Sequence, residues 1–250
     1  MKHVYIIQRS LLLLALSLTS TAQSQVSLQA GGGLGIIIPT ADYEGSTIEY
    51  YSGTKYGLST GFNLHGTLRI GLPAISLVGG LGYSSLSNEG NSEPGQGRVE
   101  VSQKIITLKA GAEYHFEIPA SPVTPYVTTN LAINRFSGET SFQGVSRVSS
   151  ATYVVNSAVR FGIGFGGGAI VDIQSGLSLD IGIQYNLMNV GGKSWEDVNP
   201  QQDQRIDTYL ALNDGKDPLF PFGDEREHFV YKNRTIHTIL FTVSVMFDLR

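Results

Sequence analysis

From residue 25 onward, apolar and small polar side chains take turns at successive positions in eight separate segments, and no run of eighteen apolar residues interrupts them. A period of two marks an extended strand with one greasy and one polar face. The segments lie near 25–38, 57–70, 74–86, 102–116, 123–136, 152–166, 177–189 and 233–249. In 57–70, Leu58, Phe62, Leu64, Leu68 and Ile70 share one face, while Ser59, Asn63, His65, Thr67 and Arg69 share the other. In 177–189, Leu177, Leu179, Ile181, Ile183, Tyr185 and Leu187 oppose Ser178, Asp180, Gly182, Gln184 and Asn186. The fold class this implies is all-β, antiparallel and eight-stranded.

The connections alternate in length. Long polar stretches (39–56, 87–101, 137–151 and 190–232) alternate with short turns near 71–73, 117–122 and 171–176. Long loops on one side and tight turns on the other are the pattern of an up-and-down transmembrane β-barrel. The N-terminus fits export. Lys2, His3 and Arg9 precede the apolar core 11–18, and small residues follow. This reads as a signal peptide over 1–24, cleaved after Ala22 or Ser24. Its apolar core is too short to cross a bilayer as a helix, which needs ~20 residues. A closed barrel is then the remaining way to satisfy a membrane-spanning backbone.

Period two does not say which face meets lipid, because a soluble barrel and a membrane barrel both produce it. The polar face decides. A solvated outer face is usually rich in Lys and Glu, yet only 15% of this chain is charged and it holds 30 Gly. The polar positions are mostly Gly, Ser, Thr, Asn and Gln, with isolated charges. That suits a narrow lumen in which Arg69, Lys109, Glu113, His115, Arg160 and Asp180 form a structural polar network, since buried charges need partners. On the apolar face, Tyr83 and Tyr185 are expected near the outer ends of their strands. Tyr114, Phe116, Phe165 and Phe247 are expected near the periplasmic ends, as two interfacial girdles.

The segment 242–249, "TVSVMFDL", resembles the C-terminal assembly signal of outer-membrane barrels. Thr242, Phe247 and Leu249 take its polar, aromatic and hydrophobic positions, and Ser244 stands where that signal has Gly. Together with "TPYVTTNLAIN" (124–134) and "FGIGFGGGAIVDIQSGLSLDIGIQY" (161–185), it makes residues 25–250 similar to the small outer-membrane-protein β-barrel family, the OmpA- and OmpX-like eight-stranded barrels. The resemblance implies a place in the cell outer membrane, with membrane lipid and the barrel-assembly machinery as partners. It implies a structural, adhesive or ligand-binding role carried by the outer loops. The alternatives are a narrow pore for small solutes and an outer-membrane lipid-modifying enzyme. No peptidoglycan-binding domain is expected after the last strand.

Signals for other chemistry are weak. The net charge of −4 argues against nucleic acid as a partner, and the lack of Cys removes thiolate sites. "GGGLG" (31–35) and "GFGGG" (164–168) lack the Lys-Ser/Thr ending of a phosphate loop. Glu113 and His115 share one face and are an acid/base candidate, although a structural role suits them better. A lipid A deacylase needs a His with a Ser two residues on. His237 is followed by Ile239 and His65 by Thr67, so that pattern is unmet. The acids of 190–232 lack the spacing of a calcium loop. The stretch is expected to be a solvated surface loop, in which 203–212 is a candidate short helix over the barrel mouth. No cofactor or metal is expected.

Overall fold

The computed structural model describes residues 26–72, 75–93, 96–146, 148–196, 207–218 and 232–249. The expected signal peptide and His228 lie outside the described residues. Eight antiparallel strands close into a ring in sequence order: β1 (Ser27–Thr40), β2 (Gly61–Gly71), β3 (Ile75–Gly90), β4 (Arg98–His115), β5 (Val123–Gln143), β6 (Ala151–Gln174), β7 (Leu177–Gly191) and β8 (His237–Leu249). The seam between β1 and β8 runs unbroken from Leu28 opposite Leu249 to Thr40 opposite His237. Closure leaves no sheet edge in the barrel wall.

In the lower part of every strand the alternation is inside-out. Leu34, Leu64, Leu81, Leu108, Leu131, Phe161, Ile181 and Val243 face outward and are exposed, with Leu131 at 68%. Asn63, Arg69, Ser76, Glu113, Asn130, Asp180, Gln184 and Ser244 face inward and are buried. Glycine makes this narrow interior possible at the contacts of Tyr126. A Cβ on Gly168 or Gly182 would lie 2.6 or 2.9 Å from the Tyr126 hydroxyl.

The strands run past the expected ends, so two loops contract. The connection expected at 87–101 shrinks to 91–97, and that at 137–151 shrinks to 144–150. β3–β6 therefore stand above β1, β2, β7 and β8 as a four-stranded wall. In that wall the polarity flips while the parity continues. On β4, Ile106 and Leu108 face outward below, whereas Arg98, Glu100 and Lys104 face outward above, and Val99, Val101 and Ile105 turn inward and are buried. On β5, Phe136 and Phe142 are inward and Arg135 and Glu139 outward. A bulge in β6 adds one residue between the partners of Phe136 and Gly138, which are Ala158 and Val155. The bulge shifts the parity of β6, so the single frame expected for 152–166 holds only below it.

The aromatic girdles are corrected as well. Tyr114 and Phe116 contact each other at the turn end of β4, with ring centroids 5.1 Å apart. Phe165, expected there too, is paired opposite Tyr185, which was expected at the other girdle. Their centroids are 5.6 Å apart, so the two share one height.

Candidate functional site

Three layers fill the axis of the barrel. The lowest is ionic. Arg69 donates from Nε to Glu113 (2.7 Å) and from Nη2 to Asp180 (2.6 Å). Its Nη1 donates to Gln29, whose amide donates in turn to Asp248. The Tyr126 hydroxyl donates to the second Asp180 oxygen at 2.8 Å. His115 Nε2 lies 3.5 Å from Glu113 Oε2, longer than a good hydrogen bond. β1, β4 and β7 thus converge on one guanidinium of β2 whose three donor nitrogens are all occupied, and β5 joins through Tyr126 on Asp180. Breaking such a buried network by deleting one charge costs about 3–5 kcal/mol, because the partner is left uncompensated.

Above it is a neutral polar layer. His65 bridges Asn63 (2.9 Å) and Ser244 (2.7 Å), and Lys109 projects between them and the acids below. Asn134 accepts from Thr107 and donates to the Met188 carbonyl. Small voids of about 40 and 50 Å³ lie here. Spaces of that size hold a few water molecules.

The third layer is apolar. Ile37, Ile105, Phe136, Met188 and Ile236 are each at most 5% exposed and plug the barrel above the upper void. Over the plug sits a head whose core is aromatic: Tyr43, Tyr50, Tyr51, Tyr56, Phe142 and Tyr209, with Leu58, Leu86, Val99 and Leu212. The first long connection supplies much of it through α1 (Thr47–Tyr51), started by Ser46 and Glu49 in reciprocal capping bonds. The last connection supplies α2 (Asp207–Leu210) and the segment after it. Gly57 is held at φ +64°, where a Cβ would press to 2.7 Å from both the Ser46 carbonyl and Tyr50, so a side chain there is strained.

Each tyrosine hydroxyl in this core is satisfied. Tyr43 donates to Gln103, Tyr51 to the Ser146 carbonyl and Tyr56 to the Leu212 carbonyl, while Tyr50 shares a 2.7 Å bond with Thr140. Burial pushes the Tyr43 and Tyr56 hydroxyls well above the ordinary tyrosine value, and Tyr50 up to about 12. Burial alone would raise the Asp42 carboxyl. Hydrogen bonds from the Thr235 amide and hydroxyl and from Lys232 outweigh it and hold Asp42 below the usual carboxylate value.

Arg160 is the exception among the expected lumen residues. It leaves the lower lumen to Arg69, Lys109, Glu113, His115 and Asp180 and rises to the head. There its Nε and Nη2 clasp both oxygens of Asp214, at 2.8 and 2.7 Å. Asp214 is 0% exposed and also accepts from Asn189 and from the Ser194 amide. Arg234 completes the staple, stacked 4.1 Å over the Tyr56 ring and donating to the Leu212 and Asn213 carbonyls. Residues 209–215 are therefore buried, apart from half-buried Leu210, where a solvated loop was expected. The apolar run Tyr209–Leu212 inside an acidic stretch was the signal for this. Parity gave the face of Arg160, but parity carries no height.

Of the assembly-signal positions, Phe247 and Leu249 are exposed on the outer face of β8. Thr242 and Ser244 face the lumen, and the Ser244 hydroxyl holds His65. Among the described residues there is no group of three or more His, Asp or Glu able to hold a metal ion.

The family model of the outer membrane protein beta-barrel domain matches residues 10–205. No curated protein matches the sequence. Among solved structures, Neisserial surface protein A is similar at 15% identity and a TM-score of 0.47, covering 90% of this chain and 98% of its own. OprG of Pseudomonas aeruginosa is similar at 11% identity and 0.44, covering 90% and 96%. Ail of Yersinia pestis is similar at 11% identity and 0.41, covering 90% and 97%.

Proposed function

This chain belongs to the outer membrane protein beta-barrel family, and from that premise we propose that it acts as a closed barrel carrying a rigid extracellular head with a structural, adhesive or ligand-binding role. It resides in the outer membrane. The observation that carries the role is the double closure of the axis. The ionic layer around Arg69 fills the lower lumen, and the Ile37, Ile105, Phe136, Met188 and Ile236 plug seals the upper end. Eight strands leave an interior that side chains can fill, and among the described residues here the lumen voids are small, of about 40 and 50 Å³. A pore for solutes would need both layers to part together.

What remains for interaction is the outside of the head. The β3–β6 wall presents Glu89, Arg98, Glu100, Arg135 and Glu139 on a frame whose inner face is fully packed. A surface that is ordered before binding loses little entropy when a partner arrives. The same reading implies membrane lipid as the solvent of the lower wall. It also implies recognition of Phe247 and Leu249 by the assembly machinery. Glu113 is held by Arg69, and the His115 Nε2 beside it lies 3.5 Å away, which favours scaffold over acid/base catalysis.

Planar-bilayer recording of the folded protein tests the reading. The expected outcome is no stable conductance. A steady large single-channel conductance would favour the pore instead. Mass spectrometry of lipid A from cells with and without the protein is expected to show identical acyl chains, and a lost or gained chain would favour an enzyme.

A further inference from the structure

The lipid-facing wall carries apolar grooves, and above one of them stand two cations that form no ion pair among the described residues. The groove spans β4 to β7 and is bounded by Leu108, Leu131, Ile133, Phe161 and Val190, with Ala110 as part of its floor; its volume is about 550 Å³. It exists for a local reason. β7 stops at Gly191, opposite Phe161, while β6 continues upward, and Ala110 adds only a methyl group.

Each of the two cations stands at the top of the apolar band on its own strand. On β5, Arg135 is the next outward residue above Ile133, and on β4, Lys104 is the next above Ile106. Two residues of strand rise by about 6.6 Å, so both charges sit at the upper border of the apolar band. The register sets them diagonally: Lys104 faces Ser137, and Arg135 faces Ile106 on one side and Val159 on the other.

Among the described residues neither cation forms an ion pair. Elsewhere on the same outer face a diagonal pair does close, Arg98 to Glu89 at 2.6 Å. Glu139 is diagonal to Lys104 by register yet makes no such contact. A pair of cations left open at the lipid border, above a groove wide enough for hydrocarbon, is complementary to a phosphate on an acyl chain. A basic residue near a charged membrane surface contributes roughly 1 kcal/mol, a factor of about five each.

We propose that this face is a binding site for a phosphorylated lipid of the outer leaflet, its phosphate between Lys104 and Arg135 and one acyl chain in the groove below. The proposal rests on the membrane placement of the barrel, not on the role of the head, so conductance or adhesion results leave it standing.

The test is native mass spectrometry of the mature protein in nanodiscs of phosphatidylcholine doped with either lipid A or its dephosphorylated form. One lipid A per barrel is expected to be retained, with the dephosphorylated form held at least tenfold less. Lys104→Gln with Arg135→Gln should lower lipid A retention about twenty-five-fold. Lys55→Gln with Lys216→Gln, an equal loss of charge on the head, should leave it unchanged. Ala110→Phe, which fills the groove with both cations intact, should lower it too. Heat-modifiable gel mobility reports that each variant is folded. Equal retention of the two lipids, or unchanged retention in the folded Lys104/Arg135 variant, would overturn the site.

Discussion

The lower barrel and the head are built from the same strands and obey opposite rules. On β5, Leu131 faces out and Asn130 in; two turns of the pleat higher, Arg135 and Glu139 face out and Phe136 and Phe142 in. The geometry does not change across that boundary. What changes is the solvent, hydrocarbon below and water above, and each region turns its apolar face toward whichever side lacks water. The lower region consequently buries polar groups that must be paired, while the head buries aromatics that must be packed. The lower interior is held by hydrogen bonds and charge and keeps two small voids, and the upper one is held by contact area.

Five measurements sharpen or break that contrast. The largest effects should come from the ionic anchors. Asp214→Ala leaves Arg160 buried without its partner and should destabilise the head by about 3–5 kcal/mol, read as rapid proteolytic cleavage after residue 191 while the barrel keeps its heat-modifiable mobility. If the barrel unfolds with the head, the two regions are one cooperative unit. Phe136→Ala sits in the plug and should cost about 3–5 kcal/mol through its cavity. It also tests closure, since a larger conductance in this variant would identify the plug as the seal.

Next comes the solvent rule itself. Leu131→Arg places a charge in the hydrocarbon band and should cost ~2–4 kcal/mol in lipid-based refolding. Ser137→Arg, on the same face of the same strand, should stay within about 0.5 kcal/mol. Equal costs would mean that the boundary lies higher than Lys104 and Arg135. Smaller again is Tyr50→Phe, which removes the bond to Thr140 from a packed site and should cost about 1 kcal/mol.

The last is a titration of the head. Burial raises Tyr50 to about 12 in the folded protein, against about 10 in an unfolded chain. A raised acid of this kind contributes stability that is complete below the unfolded value and is lost as pH climbs through the folded one. The head should therefore resist protease up to about pH 10 and weaken between about 10 and 12. Tyrosinate absorbance should rise with that loss. Ordinary titration of all twelve tyrosines near pH 10 would contradict a buried aromatic core.

Much of the lower region was legible in the sequence. Arg69, Glu113 and Asp180 fell on the inward parity of strands that are remote in sequence, and a narrow barrel gives inward charges little choice of partner. The head was less legible. Its outward residues are polar, so alternation taken in the lower region's sense marks these strands as loops. Parity located the face of Arg160 below the β6 bulge but not its height, and the short apolar run Tyr209–Leu212 was the one mark of a buried strap inside an acidic stretch.

The amino-acid order by itself determined the period of two, the number of strands, the sequence of long and short connections and the face on which each side chain stands. All of these are local, set by backbone geometry and by the neighbours of each residue. Only the tertiary structure decided the height of each residue along the axis, the level at which inside and outside exchange polarity, and the union of Arg160 with Asp214, 54 positions away. Alternation looks the same whichever face is wet. The choice between the faces is made by contacts between distant segments and by the medium around the barrel, and neither has a local signature.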